Sequence, residues 1–337
     1  MKRQSITLAE LADRDNLLLA AWKTLRSSPA EPHARAWRRG IDENINDLAQ
    51  AILRETVPSG ALHRFVIHDP KRREIAAPAL ADRVLHHALF NLAEPRFERL
   101  LVPSTFACRP GLGVHAAVAH LQRCLQRAPC WLQVDVKSYF SSIDHAVLLH
   151  LLSRWFKGAA LLRLLQRIVQ AGSSTPGTGL PIGALTSQHF ANAYLDDADR
   201  WLLAHPLVCG HVRYMDDIVC TCNSLADARQ LETELRAHLQ LTRSLELKAP
   251  ARCGYTRFGL RFCGFRVKSG VVLAGQRKLR RYREGAARLH MAEMSGDLAP
   301  TQAQRAADVL HATLAHTCSR QRRRAVWRRL GAYSGNP

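Results

Sequence analysis

Apolar residues recur every three or four positions in several stretches of the chain, which is the period of a helix with one buried face. Leu8, Leu11, Leu17 and Leu18 follow this period near the start of the chain. The pattern predicts helices over residues 7–27, 34–56, 79–101, 114–127, 145–171, 186–203 and 225–241, and a helical tail from residue 276 onward.

Short runs of β-branched and aromatic residues, bounded by turn-forming residues, predict strands between these helices. Residues 62–67 and 74–77 form such a pair around a basic turn and predict a hairpin. The glycine-rich residues 172–183 predict a loop. Further strands are predicted over residues 131–136, 208–222, 255–267 and 271–273.

The composition indicates a folded chain with a polyanionic partner. The 337 residues are 47% hydrophobic, which is enough to fill a core and excludes a disordered chain. Lys and Arg number 48 against 28 Asp and Glu, a formal charge of +20 that favours nucleic acid over a small neutral substrate. From residue 276 onward, thirteen basic residues face four acids, a net +9.

Neither a membrane segment nor a disulfide framework is expected. The clean apolar run at residues 17–22 falls far below the roughly 18 residues that cross a bilayer, and Glu10 and Asp13 interrupt any leader-like start. We therefore expect a cytoplasmic protein without membrane contact. Nine cysteines are an odd number with one close pair, Cys220 and Cys222, which favours reduced thiols over disulfides or a zinc site.

Acidic residues stand at the ends of predicted strands. Asp216 and Asp217 fall at the bend of a predicted hairpin, where they are either ordinary turn residues or functional carboxylates. The same dipeptide at Asp196 and Asp197 lies on a predicted helix and has no such setting. Asp135 ends another apolar strand and could converge with the hairpin acids. Clustered carboxylates bind hard cations, and a pair of Mg²⁺ ions is the usual machinery for nucleotidyl transfer.

The basic turn of the first hairpin is a candidate for gripping phosphates. Lys71, Arg72 and Arg73 are adjacent there, and arginine suits bidentate phosphate contact. The competing interpretation is a solvated basic turn.

Four sequence boxes resemble those of reverse transcriptases. Residues 214–217 (YMDD) resemble the Tyr-x-Asp-Asp box, and residues 135–140 (DVKSYF) resemble the Asp-x4-aromatic box. Residues 261–265 (RFCGF) are similar to the primer-grip element, and residues 70–75 are similar to the fingers hairpin. The boxes occur in the family's order over about residues 60–268. The resemblance identifies the chain as a candidate RNA-directed DNA polymerase.

The family's fold is the α+β right-hand polymerase fold, in which an antiparallel palm sheet packs on helices. Carried over to this chain, residues 1–130 would form N-terminal helices and fingers, and residues 131–275 would form the palm, with a fingers insertion at about residues 155–185. Residues 276–337 would form a short, basic, helical thumb or C-terminal tail.

The resemblance also implies catalytic and metal-binding roles. Asp135, Asp216 and Asp217 would be the catalytic acids, and these side chains with the backbone of Val136 would hold two Mg²⁺ ions, for which Mn²⁺ can substitute. Asp144 is expected to be a helix N-cap rather than a fourth ligand.

Nucleotide and strand contacts follow from the same resemblance. Phe140 falls where the family's bulky residue excludes ribonucleotides, although a core phenylalanine is the alternative. The residues implied to bind the incoming dNTP are Lys71, Arg73, Phe140, Ile182 and Gly183. Those implied to contact template or primer are Gln188, Tyr214, Met215, Cys263, Gly264, Phe265, Arg277 and Lys278.

Residues 179–188 (GLPIGALTSQ) indicate a subclass. Retroviral and group II intron enzymes normally carry Gln at the position of Ile182 and Pro at that of Gln188, whereas Ile-Gly-x-x-x-Ser-Gln resembles reverse transcriptases of diversity-generating retroelements. That family makes error-prone cDNA from a template-repeat RNA, with errors opposite adenines, in mutagenic retrohoming. Because an apolar side chain replaces an amide, discrimination by polar contact should weaken.

The retroelement resemblance implies a bacterial or phage-encoded protein. Its partners would be template RNA, the primer or cDNA strand, dNTPs and a small basic accessory variability protein. Three alternatives stay open: a reverse transcriptase of a phage-defence or CRISPR-adaptation system, a non-catalytic RNA-binding scaffold, and a metal-dependent nuclease that uses the same carboxylates.

Overall fold

Helices and short sheets are interspersed along the chain, so the prediction of a mixed helix-and-sheet protein is confirmed. The computed structural model describes residues 2–26, 31–68, 72–171 and 175–331. The chain divides into two units, each built from three segments. Unit 1 comprises Met1–Arg109, Asp135–Trp201 and Glu234–Ala249, and unit 2 comprises Pro110–Val134, Leu202–Thr233 and Pro250–Pro337. The fingers, palm and thumb boundaries stay a prediction.

The elements of the described residues are as follows. The helices are α1 (Leu8–Leu11), α2 (Arg14–Leu25), α3 (Pro32–Arg39), α4 (Ile41–Leu53), α5 (Leu80–Leu100), α6 (Val114–Arg127), α7 (His145–Trp155), α8 (Ala159–Gln170), α9 (Leu185–Tyr194), α10 (Asp196–Ala204), α11 (Leu225–Arg243), α12 (Gln276–Met294), α13 (Pro300–Ala312) and α14 (Arg320–Arg329). The strands are β1 (Gln4–Ser5), β2 (Leu62–His68), β3 (Arg72–Pro78), β4 (Cys130–Asp135), β5 (Phe156–Lys157), β6 (Gly210–Tyr214), β7 (Asp217–Cys222), β8 (Arg252–Tyr255), β9 (Leu260–Phe262), β10 (Phe265–Val267) and β11 (Val272–Ala274).

The strands form small separate sheets. In unit 1, β2 and β3 make the predicted antiparallel hairpin, in which Leu62 lies opposite Pro78, and β1 pairs in parallel with β5. In unit 2, one sheet has the strand order β6-β7-β4-β8 and a second has the order β11-β10-β9. Their hairpins are antiparallel, as the sequence predicts.

Four predicted helices were wrong in their continuity, because each is two helices: residues 7–27, 34–56, 145–171 and 186–203. The side chain of Asp13 accepts a hydrogen bond from the N–H of Asn16 and starts α2 afresh. Gly158, with φ of 106°, separates β5 from α8. The apolar period alone does not mark where one helix ends and the next begins. The predicted helical tail is likewise three helices, α12, α13 and α14.

The core of unit 1 is an aromatic cluster around α5. The ring of Phe97 lies 5.1 Å from that of Phe90 and 5.2 Å from that of Trp155, measured between centroids. His189 of α9 stacks on Phe90 at 4.0 Å. Since α9 follows the loop that carries Ile182, this core lies next in sequence to that loop.

Acid is expected to destabilise this core. Burial, followed by the charge of nearby His87, lowers the pKa of both His86 and His189 to about 4. The unfolded chain therefore binds more protons between about pH 6.5 and 4, so stability present above this window is lost as the pH falls through it, by about 2 kcal/mol per histidine at pH 5. Urea unfolding at pH 7.5 and 5 measures this loss. His189→Asn should reduce the pH dependence, whereas His63→Asn, at an exposed position on β2, should leave it unchanged.

In unit 2, α6 packs closely on β6. A Cβ added at Gly210 would lie 2.9 Å from the sulfur of Cys124, so the helix and strand approach too closely for a larger residue at that point. All nine cysteines are free thiols, as predicted. Within the described ranges, no helix combines the length and apolar character needed to cross a bilayer.

Candidate active site

The hairpin formed by β6 and β7 carries two of the predicted acids. Tyr214 pairs with Asp217, which leaves Met215 and Asp216 as the two turn residues. Met215 has φ of 58°, a conformation that non-glycine residues seldom adopt. Arg213 is fully buried, and its Nη1 donates to the Met215 carbonyl at 3.0 Å. A hydrogen bond from a buried guanidinium group thus holds the backbone of the turn in place.

Asp217 is held by a neighbouring strand of the same sheet. The side-chain amide of Gln133 on β4 donates to Asp217 Oδ1 at 2.7 Å and to the Arg261 carbonyl at 3.1 Å. Gln133 is 2% exposed, so this amide is shielded from water. It sets the orientation of the Asp217 carboxylate. Sequence reasoning missed this residue, although a glutamine within an apolar run was a visible signal.

The predicted primer-grip residues form a tight turn in unit 2. Cys263 and Gly264 have φ of 49° and 79° and join β9 to β10, the geometry of a two-residue hairpin loop. Burial, followed by the charge of Asp217, raises the pKa of the Cys263 thiol. The ammonium of Lys278 lies 4.4 Å from the ring centroid of Phe265.

Lys278 also packs against the turn, since its Cε lies 3.0 Å from the position that a Cβ on Gly264 would take. Burial lowers the pKa of Lys278. Arg277 is exposed at the first turn of α12. The structure therefore brings four of the predicted strand-binding residues into one cluster, while the roles of all of them stay predictions.

Asp135 ends β4 and is ion-paired within unit 1. Lys248 Nζ lies 2.5 Å from Asp135 Oδ1, and the backbone N–H of Lys248 donates to the Asp135 carbonyl at 2.8 Å. Val136 is fully buried and forms a β-bridge with Leu247. Sequence reasoning also missed Lys248, because the residues around it give no sign that its side chain pairs with Asp135, 113 positions earlier.

The residues predicted to bind the nucleotide are partly brought together in unit 1. The N–H of Ala76 on β3 donates to the Ile182 carbonyl at 2.8 Å. Gly183 has φ of 124°, and an added Cβ would lie 2.9 Å from Ile75 Cγ2, so this position requires glycine. Ile182 is 38% exposed, and Arg73 is exposed on β3. Lys71 lies outside the described residues.

Phe140 lies in a short 3₁₀ helix and is half-buried. Its carbonyl accepts from the N–H of Leu180 at 2.8 Å, which ties this segment to the loop before Ile182. Asp144 accepts from the N–H of Val147 at 2.9 Å, so the predicted N-cap is confirmed. Gln188 is half-buried on α9, and its Oε1 accepts from the Cys108 thiol at 3.0 Å. Its predicted contact with a strand stays a prediction.

The donor set suits a hard divalent cation. Carboxylate oxygens of Asp135, Asp216 and Asp217 and the carbonyl of Val136 are the ligand types that Mg²⁺ prefers. Across the part of the chain that the structure describes, no group of three or more His, Cys, Asp or Glu side chains forms a metal-binding cluster. Convergence of Asp135 with the two hairpin acids therefore stays a prediction.

Comparison with protein families identifies the class. The family model for "Reverse transcriptase (RNA-dependent DNA polymerase)" matches residues 68–252, more than half of the chain. This range includes β4 and the hairpin acids. The chain belongs to the reverse transcriptase family.

Individual relatives match only in part. Protein YkfC of Escherichia coli (strain K12) is 28% identical over 156 residues, 43% of this chain and 39% of YkfC. The group II intron-encoded protein LtrA of Lactococcus lactis subsp. cremoris is 24% identical over 171 residues, 48% of this chain and 28% of LtrA. The chain thus spans less than half of these curated relatives. A structure of apo telomerase from Candida tropicalis, truncated from its C-terminal domain, has a TM-score of 0.47 and 10% identity, covering 63% of this chain and 54% of that chain.

Proposed function

We propose that the protein is an RNA-directed DNA polymerase that copies a template-repeat RNA into error-prone cDNA for mutagenic retrohoming. One observation carries the polymerase assignment. Within the range that the family model matches, Asp216 occupies a fixed turn, and the carboxylate of Asp217 accepts a hydrogen bond from Gln133 on β4. Gln133 precedes Asp135 by two residues on that strand, and residues two apart share one face of a strand.

In this proposal, Asp135, Asp216 and Asp217 are the catalytic acids, and with the Val136 carbonyl they hold the metal ions. Two bound Mg²⁺ ions would stabilise the attacking and leaving oxygens of an in-line displacement. The chain's own residues orient the reactants. Gln133 orients Asp217, and Arg213 fixes the turn that presents Asp216.

Arg73, Lys71, Phe140, Ile182 and Gly183 would surround the incoming dNTP. The hydrogen bond from Ala76 to the Ile182 carbonyl supports this grouping, because it brings β3 and the segment of Ile182 together. The proposed strand contacts are with the cluster around Cys263, Gly264, Phe265 and Lys278, together with Gln188, Tyr214, Met215 and Arg277. A small basic accessory variability protein is the further proposed partner.

Primer extension on a defined RNA with Mg²⁺ and dNTPs, followed by sequencing of the products, tests both levels of the proposal. Extended products are expected, with substitutions concentrated at template adenines. Accurate copies would contradict the retroelement assignment and leave the polymerase. Degradation of the primed template without extension would favour a nuclease, and RNA binding without either reaction would favour a scaffold.

Ile182→Gln is expected to lower the error frequency at template adenines by about tenfold. The amide restores a polar contact that rewards correct pairing, and a contact of about 1.4 kcal/mol changes discrimination tenfold. Sequencing of products from both proteins on one template measures the change. Leu203→Gln, which changes a comparably exposed apolar residue on α10, is the matched control and should leave the error spectrum unaltered. An unchanged spectrum in Ile182→Gln would remove this residue as a cause of infidelity.

A further inference from the structure

The three C-terminal helices of unit 2 line an open cavity that the proposed polymerase chemistry does not use. It has a volume of about 490 Å³, within the range of sites for small ligands. Helices α12, α13 and α14 all contribute to its lining. The charged and aromatic residues in its lining are Arg320, Arg323, Arg324, Trp327, His311 and Glu293.

The cavity has an excess of positive charge. Three arginines, Arg320, Arg323 and Arg324, line it together with one acidic residue, Glu293. None of these arginines forms an ion pair with any other described residue. Unpaired arginines that line one cavity favour an anionic ligand, because guanidinium groups bind anions through charge-assisted hydrogen bonds.

An aromatic side chain is fixed at the same cavity. The indole Nε1 of Trp327 donates to the Tyr282 hydroxyl at 2.9 Å, and that oxygen lies 2.8 Å from His311 Nδ1. Tyr282 is 2% exposed and belongs to the small apolar core of this helical segment. Burial, together with the charge of Arg323, lowers the pKa of His311, so the imidazole is neutral at pH 7.5. The ring of Trp327 is therefore held by groups that carry no charge.

Arginines beside an ordered indole match the two chemical parts of a nucleotide. Guanidinium groups bind a terminal phosphate by charge-assisted, bidentate hydrogen bonds. An indole provides a stacking surface that accepts any nucleobase. We propose that this cavity binds one nucleoside monophosphate unit, with the phosphate on Arg323 and Arg324 and the base against Trp327. The unit is either a free nucleotide or the 5′-phosphorylated end of an RNA strand.

Binding to the full chain is measured by calorimetry with AMP and, for comparison, adenosine. AMP is expected to bind at least tenfold more tightly, because adenosine lacks the phosphate. The double substitution Arg323→Gln with Arg324→Gln should weaken AMP binding by at least tenfold. The matched control, Arg328→Gln with Arg329→Gln, removes the same charge from exposed positions of the same helix outside the cavity and should change binding by less than twofold.

Two RNA hexamers that differ only in a 5′-phosphate or 5′-hydroxyl distinguish the sources. Tighter binding of the phosphorylated hexamer, displaced by AMP, would assign the site to a strand end, whereas equal binding of both hexamers alongside AMP binding would assign it to a free nucleotide. Equal affinities for AMP and adenosine, or equal losses in the two double variants, would overturn the proposal.

Photo-crosslinking with 8-azido-AMP keeps the test independent of folding in the variants. The labelled peptide of the unsubstituted protein should come from α12, α13 or α14, and a label confined to other segments would overturn the proposal. Circular dichroism reports whether the double variants fold. Asp216→Asn is expected to retain AMP binding at this cavity, so failure of the proposed polymerase function and failure of this inference are separate results.

Discussion

Asp216→Asn is expected to lower the rate of primer extension by about 1,000-fold or more. The substitution keeps the size of the side chain at the β6–β7 turn but replaces a charged oxygen ligand by a neutral amide. A loss of about 4 kcal/mol of transition-state stabilisation corresponds to this factor. Single-turnover extension of a labelled primer on RNA, with Mg²⁺ and dNTPs in excess, measures the rate. The variant should keep the secondary structure and thermal transition of the parent protein.

Asp197→Asn is the matched control, since Asp197 belongs to the other Asp-Asp dipeptide of the chain. Its carboxylate lies on α10, 3.2 Å from His238 and 3.5 Å from Arg243, and has no part in the proposed chemistry. Extension by this variant should stay within about threefold of the parent protein, as for most substitutions that remove a partly exposed ion pair. Extension by Asp216→Asn at the parental rate would refute the catalytic assignment of the hairpin acids.

The hairpins could be predicted from the sequence because their signals are local. Two runs of bulky residues flank a short turn at Asp216, and the β6–β7 hairpin forms where this pattern predicts it. The helix predicted over residues 145–171 was wrong for a non-local reason. Phe156 is not helical, because it pairs as a β-strand residue with Gln4, which lies about 150 residues earlier. Helical periodicity contains no information about that contact.

The candidate site likewise contains residues that local sequence motifs identify and residues that they do not. Asp216, Cys263 and Gly264 stand in short motifs whose spacing can be read directly, and the structure has both turns. Gln133 and Lys248 could not be assigned, because their partners are 84 and 113 residues away. The order of strands in the sheet brings Gln133 to Asp217, and an isolated β-bridge between Val136 and Leu247 brings Lys248 to Asp135. A polar residue inside an apolar run is the one sequence signal for Gln133, since a buried polar group requires a partner, and Lys248 has no such signal.

The second large effect is expected at Gln133. Gln133→Glu is expected to slow primer extension by about 100-fold at pH 8.5, or about 3 kcal/mol. The amide donor disappears, and a carboxylate then faces Asp217 Oδ1 and the Arg261 carbonyl, both of which are acceptors. Burial and the like charge of Asp217 raise the pKa of the introduced carboxyl above that of an exposed glutamate. Its protonated form can donate to Asp217 as the amide does.

The sign of the pH dependence follows from this chemistry. At low pH the introduced carboxyl holds its proton and replaces the lost donor, so the ratio of parental to variant rates should be smallest there and rise with pH. A purely structural defect gives a constant ratio, which rates measured from pH 6 to pH 9 would reveal. Gln126→Glu is the matched control, because Gln126 is exposed and its amide donates to the Ser269 carbonyl at 2.8 Å, away from any predicted site residue. Its rate ratio should stay near one at every pH. A pH-independent ratio for Gln133→Glu would show that the amide does not position Asp217 for the reaction.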